Sequence, residues 1–331
     1  MKNLFLTVSI VSLLFVSCDD DDTTNSNDDL MLVTTSNTSG TVSFTNLSQS
    51  NPVPANFTVG GVDNDGAFFS PISNRLIIAS RTNNRLEQYQ GIEEALDGGS
   101  TTLEMQFASA SDFDNPREIS ISDDKIVVTQ DQSVANGNTN KFLVYQRNTS
   151  GLVLVNEYTV DFKVWGIHVE GSTLYAVADL TGDIVVFNNF FSNLTGAITP
   201  TKRVTIEGLV RTHGLTFSSQ DNCLVLTDIG NALLDNDGAI IVINDFTNVL
   251  ADTANLGTIA LSNQIKISGS NTHLGNPVDV SYDSSSEKIY VAERLFGSGQ
   301  VLTFDKPSTS SNQAPQSFRT EAGVSSVYLY R

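Results

Sequence analysis

Polar and ionisable residues recur at matched places along this chain. Asp65, Asn115, Trp165, His213 and Asn276 each open a short apolar run. Ser80, Gln130, Asp179, Asp228 and Glu293 each close the run that follows, and Arg81, Asp131 and Arg294 come directly after three of these. Such side chains could hold a ligand: carboxylates and guanidiniums pair with charge, imidazole serves as base or ligand, and indole offers a stacking face. Should the matched positions project toward one cavity, Asn115, Trp165, His213, Asn276, Asp179, Asp228, Glu293, Arg81 and Arg294 form its candidate binding set. A structural reading competes at every one of them, because an Asp after a strand often caps a turn through backbone N–H groups.

Other chemistry finds less support. His213 opens a run and is the best candidate base or ligand, His168 alternates within a run, and His273 falls in a loop. No two histidines have a spacing that would build a transition-metal cage. The pentapeptide DNDGA occurs twice, at residues 63–67 and 235–239. Its carboxylates could meet calcium, but Asn, Asp and Gly also tolerate positive φ, so tight turns are the favoured reading. Nucleophile-elbow, P-loop and dinucleotide fingerprints are absent.

The elements that must position these residues are strands. Residues 165–189, WGIHVEGSTLYAVADLTGDIVVFNN, divide into three short runs of apolar, β-branched and aromatic residues with Gly-containing turns between them. Four further segments repeat this plan. Their aligned starts at 65, 115, 165, 213 and 276 give steps of 50, 50, 48 and 63. A period near fifty with about four strands per unit predicts a β-propeller. Outer fourth strands are expected at residues 103–107, 155–160, 203–207, 257–261 and 317–320, which completes five blades. Residues 324–330 read as an inner strand with nothing after it, and residues 30–35, 40–45 and 57–60 as three strands with no inner strand before them. Joined, these complete a sixth blade. The expectation is therefore an all-β, six-bladed propeller of four-stranded antiparallel blades, its ring closed by pairing N-terminal strands with the C-terminal strand, which hides the sheet edges.

The N-terminus reads differently. Residues 1–17 have a basic start at Lys2 and an apolar run too short to span a bilayer. The run ends in Phe15-Val16-Ser17-Cys18, which resembles a bacterial lipobox with Phe15 where Leu is usual; Cys18 would be the lipidated residue, and an ordinary secretory signal is the alternative. Residues 18–29, with four consecutive Asp at 19–22, form an acidic tether. A Cys followed by acids resembles the export signal of surface-displayed lipoproteins, whereas Asp directly after Cys resembles an inner-membrane retention signal elsewhere. The expected location is the cell envelope, anchored to the outer membrane and exposed at the surface. Residues 30–331 make one domain, expected to be monomeric.

Charge and cysteine content narrow the partners. With 37 acidic and 18 basic residues the chain carries −19, which disfavours nucleic acid and anionic surfaces. Of two cysteines, Cys18 would carry lipid, leaving Cys223 as a small buried residue without a disulfide partner.

The pairs Trp165-Gly166-Ile167 with residues 174–179 (LYAVAD), Asn276-Pro277-Val278 with residues 289–293 (IYVAE), and more loosely His213-Gly214-Leu215 with residues 224–228 (LVLTD), resemble NHL and related six-bladed propeller repeats. That group includes binding scaffolds as well as hydrolases and lactonases. Three functions follow as expectations. The first is a lipid-anchored scaffold that binds a protein, glycan or small ligand. The second is a hydrolase similar to gluconolactonase-type propellers, which hold a divalent cation in the channel; that likeness implies calcium or a similar ion on oxygens from Glu118, Asp179 and Asp228, with Asn115 and Asn276 beside them. The third is a structural part of an envelope complex.

Overall fold

The computed structural model describes residues 29–331. The signal segment, Cys18 and nearly all of the acidic tether lie outside them. Asp29 is described, and its carboxylate accepts a 2.6 Å hydrogen bond from Asn46.

Six sheets radiate from a common axis, and each is a meander running from an inner to an outer strand. The inner strands are Asn64–Ser70, Pro116–Ser122, Val164–Glu170, Thr212–Ser218, Pro277–Asp283 and Val324–Tyr330, and they pack against one another in that cyclic order. Blades 1 to 5 start with the first five. Blade 6 closes the ring: Val324–Tyr330 pairs antiparallel with Met31–Ser36, which continues to Thr41–Asn46 and Ala55–Thr58. The six-bladed ring and its closure between the two chain ends are as the repeat predicts.

The second strands explain the fold's hydrophobic register. Arg75–Ser80, Lys125–Gln130, Thr173–Ala178, Cys223–Asp228 and Lys288–Glu293 are buried on both faces, so they read as continuous β-branched runs instead of alternating ones. Their side chains fill the clefts between blades. Phe142, Tyr158, Phe187 and Phe190 meet edge to face in one such cleft, and Phe44, Phe57 and Phe69 do so in another.

One expected strand is corrected. The outer strand of blade 4 is Ile265–Ser268, not residues 257–261. Thr258–Ile259 instead adds a fifth, parallel strand to blade 3. The same device recurs: Gly196–Ala197 of blade 3 extends blade 2, and single parallel bridges tie Thr102 to Thr58 and Ser311 to Ile267. In each case the connection between third and fourth strands reaches back to cover the preceding blade's outer edge, which would otherwise present unpaired backbone groups. The two α-helices among the described residues, Ile92–Gly98 and Phe246–Asp252, lie in such connections.

Candidate functional site

All six inner strands break register near their first residues, the five in blades 1 to 5 and the closing one alike. A bulge re-aims the side chains it carries. Here the repeat of one bulge six times arranges the axis in levels.

The second position of each inner strand gives Asp65, Arg117, Trp165, His213, Val278 and Ser325, going round the ring. Trp165 is the centre of a stack. His213 lies on it with ring centroids 3.6 Å apart and planes 11° from parallel, and the Arg117 Cζ sits 4.0 Å from its ring centroid. A run of ion pairs surrounds this level. Arg81 bonds Asp63 (3.2 Å) and Asp65 (3.3 Å), and Arg117 joins Asp65 (4.0 Å) to Asp131 (3.1 Å). Lys163 joins Asp131 (3.6 Å) to Asp179 (3.3 Å), and Asp179 meets Arg211 (2.6 Å) and His213 Nε2 (3.2 Å). Arg294 completes the end of the channel: with the Asn37 amide oriented to satisfy its neighbours, the amide oxygen accepts from Arg294 Nε (3.2 Å) and Nη2 (3.0 Å). Five of the chain's 18 bases therefore gather at one end of the axis in a strongly acidic protein.

Their environment sets their protonation. Burial pushes the Asp179 carboxyl upward, but hydrogen bonds from His213 and Arg211 outweigh it and hold it far below the usual range. Burial lowers His213 to about 4 against the pull of Asp179, so the ring is neutral at physiological pH. With Nε2–H directed at Asp179, Nδ1 is an acceptor without a partner. Burial raises Asp65 to about 6 despite Arg81 and Arg117. These groups are interlocked, and they close this end of the channel.

The third position gives Gly66, Glu118, Gly166, Gly214, Asp279 and Ser326. The glycines here allow close approach of neighbouring backbones. A Cβ on Gly214 would lie 2.7 Å from Asp279 Cα, and one on Gly66, whose φ is 70°, would lie 2.9 Å from Glu118 Oε1. The space so left is filled by two carboxyls that hydrogen-bond each other, Glu118 and Asp279. Asp279 accepts from the Val280 and Val327 N–H groups, both at 2.8 Å, and Glu118 from the Ile119 N–H at 2.8 Å. Burial raises both, Asp279 to about 7 and Glu118 well above its ordinary value, where the Asp279 charge adds to the effect. The two backbone donors on Asp279 favour its ionised form, so the shared proton resides on Glu118.

Beyond this pair the channel widens into a pocket of about 300 Å³ that runs to the C-terminal ends of the inner strands. Every blade contributes to its wall: the half-buried fifth residues of the inner strands, Phe68, Ser120, His168, Thr216, Ser281 and Tyr328, ring it, while Ile119, Ile167, Leu215 and Val280 behind them are buried in the cores between blades. Recessed pockets with convergent polar groups are where small ligands are held.

The expected site residues divide accordingly. Arg81, Asn115, Trp165, Asp179, His213 and Arg294 come together at the closed end, where Arg81 Nη2 donates to Asn115 Oδ1 at 2.8 Å. Asp228, Glu293 and Asn276 serve the turns. Asp228 accepts from the Val210, Arg211 and Gly230 N–H groups. Glu293 accepts from Gly275, Asn276, Leu295 and Phe296. Glu118, Asp179 and Asp228 do not converge: each meets a different set of partners, and among the described residues no three His, Cys, Asp or Glu side chains gather as a metal set. Sequence reasoning missed Arg117, Lys163 and Arg211 at the closed end and Asp279 in the pocket. Lys163 and Arg211 each sit one residue before an inner strand, a recurrence that was there to be counted.

No described protein family matches the sequence, and neither does any curated protein. Solved structures are similar in fold. A chain in the crystal structure of a nidogen/laminin complex superposes with TM-score 0.61 at 12% identity, covering 91% of this chain and 98% of that one. A candidate 6-phosphogluconolactonase from Bacteroides fragilis gives 0.59 at 11% identity over 94% and 100% of the chains, and another from Bacteroides uniformis 0.59 at 10% over 92% and 100%. At such identities the likeness is one of propeller architecture.

Proposed function

We propose that this protein is a small-molecule-binding propeller whose ligand occupies the axial pocket. The observation that carries the reading is the asymmetry of the channel: one end is filled by interlocked side chains, the other is a cavity of about 300 Å³ with mixed polar and aromatic lining and the Glu118–Asp279 pair on its floor. A scaffold for a folded protein or a glycan would use an exposed face, whereas this site is recessed along the axis. Filling the cavity with Thr216→Trp, at a half-buried position on its wall, is expected to abolish binding of any hit from a ligand-observed NMR fragment screen while the fold survives. Hits that bind the filled variant equally well would place the site elsewhere.

A second reading is supported by the same pair. A protonated Glu118 beside an Asp279 that titrates near 7 is suited to general acid–base catalysis, and two fold neighbours are named for lactone hydrolysis. Hydrolysis of a lactone or ester in this pocket would be lost in Glu118→Gln. A turnover unchanged by that substitution would remove the reading.

The anchor rests on the sequence alone. Lipidation at Cys18 predicts that Cys18→Ser moves the protein from the membrane fraction to the soluble fraction and stops incorporation of labelled palmitate. Protease accessibility of intact cells would then separate surface display from retention inside the envelope.

A further inference from the structure

We propose that the pocket's ligand is a small organic amine, bound as its ammonium ion between Glu118 and Asp279 with its apolar body along the channel wall. The inference rests on the pocket reading above and adds the chemical class of the ligand.

Charge comes first. Among the described residues neither Lys nor Arg lines the pocket; its formally charged residues are Glu118 and Asp279. The bases nearest along the axis are bound to Asp63, Asp65, Asp131, Asp179 or Asn37 at the closed end and are not free to neutralise the pair. The pair sits in a recess along the axis, where the dielectric is below that of bulk water, so an uncompensated carboxylate there attracts a cation.

Donor and acceptor counting then selects the kind of cation. Three backbone N–H groups already fix the two carboxyls, and the remaining lone pairs around the shared proton can only accept. An ammonium group offers three donors and no acceptor, whereas a hydroxyl offers one donor and brings lone pairs of its own. Aromatic side chains stand on the wall beyond: Phe68 packs against Tyr328 with centroids 5.2 Å apart. Such faces suit both the apolar body of an amine and its positive end.

The shared proton supplies a signature. When an ammonium enters, both carboxyls become anions and the proton leaves to solvent. Binding therefore weakens as pH falls and the pair is held doubly protonated. The titratable groups that face the pair from the strands packed around it act in known directions. Asp65, from blade 1, raises both carboxyls. His168 of blade 3 and Tyr328 of blade 6 line the same cavity, and His213 of blade 4 is engaged with Asp179. Tyr328, raised to about 12 by burial, stays neutral throughout.

Calorimetry on the whole protein tests this with three probes of one shape: 2-phenylethylamine, 2-phenylethanol and 3-phenylpropanoate. Each is titrated near neutral pH in two buffers of different ionisation enthalpy. The amine is expected to bind with a buffer-dependent heat that reports proton release. The alcohol should bind about tenfold or more weakly without buffer dependence, and the carboxylate not measurably. Glu118→Gln and Asp279→Asn should each weaken the amine by about tenfold and remove the proton release. Equal affinity for amine and alcohol, or amine binding without proton release, overturns the ammonium inference and leaves the pocket reading standing. Stoichiometric calcium binding that displaces the amine overturns it in favour of a metal. If none of the three binds, the small-molecule pocket itself fails. The comparison of probes on the unaltered protein decides the matter even if a variant does not fold.

Discussion

The indole of Trp165 lies flat on the imidazole of His213, 3.6 Å between centroids, and His213 in turn bonds Asp179 at 3.2 Å. Trp165 is the only tryptophan in the chain. Its fluorescence therefore reports the charge of the ring beneath it. We expect quenching on acidification with a midpoint near 4, where burial places His213, and not near its ordinary 6.5. His213→Phe should abolish the transition. A midpoint near 6.5 would mean that the imidazole is solvated.

The same group makes stability depend on pH. His213 binds its proton less tightly folded than unfolded, so the unfolded chain holds more protons between about 4 and 6.5. The contribution of His213 is therefore full above 6.5 and is lost as pH falls toward 4. Asp179, held below its ordinary 3.8, acts in the same direction at lower pH, protecting the fold above 3.8 and ceasing to do so as it protonates. Urea midpoints of the protein and of His213→Phe should converge as pH falls through this window.

Asp279 works with the opposite sign. Its folded value of about 7 lies above the ordinary 3.8. Its contribution to stability is complete below 3.8 and is lost as pH rises through 7. Asp279→Asn removes this slope. Relative to the parent, the variant should gain stability steadily between these two values, measured by chemical denaturation. A constant difference across the range would show that Asp279 is not perturbed.

Ion pairs at the closed end should matter far more than those at the rim. Arg117 is 13% exposed and Asp131 only 2%. Arg117→Ala takes one of two cations from each of the buried carboxylates Asp65 and Asp131 and should cost about 3 kcal/mol. Arg147 pairs with an Asp124 that is 62% exposed, and Arg147→Ala should cost less than about 1 kcal/mol. Equal losses would mean that the run of pairs is solvated and screened.

Turn clamps and pocket groups should separate cleanly. Glu293→Ala leaves four backbone donors, two in the loop before Pro277–Asp283 and two in the turn after Lys288–Glu293, without their acceptor and should destabilise the fold by at least about 2 kcal/mol. Ligand binding by the surviving folded fraction should be unchanged. Glu118→Gln should do the reverse. A Glu293→Ala variant that folds normally but binds no ligand would show that this carboxylate belongs to the site after all.

How much of this was legible in the residues follows from period and parity. Second strands buried on both faces read as plain apolar runs, so the blades and the closure at residues 324–330 could be counted. The outer strand of blade 4 could not: residues 257–261 and 265–268 are both short, partly apolar stretches, and only the backward reach of one to blade 3 tells them apart. The site turned on a single residue of register. Asp179 follows Ala178, which pairs with Val164, while Asp228 pairs with Thr212 itself. Aligned by eye as equals, the two lie one place apart on strands whose side chains alternate, so one faces the axis and the other the turn. The bulge hid the pocket for a related reason. It shifts Glu118 and Asp279 onto one level with three glycines, and no fixed sequence period marks that level.

The closing strand has a consequence for orientation. Met31 pairs with Tyr330, so Asp29 and Arg331 leave the ring on the face where Tyr328 and Leu329 rim the pocket. A chain attached ahead of Asp29 is therefore attached on that side. If Cys18 carries the lipid we propose, the ten residues between it and Asp29 can extend at most about 35 Å. The pocket would then open on the tethered face of the ring, with the Arg-rich end on the opposite face. A ligand would reach it by diffusing sideways along the membrane surface, and amphiphilic amines that partition there would be enriched at its door.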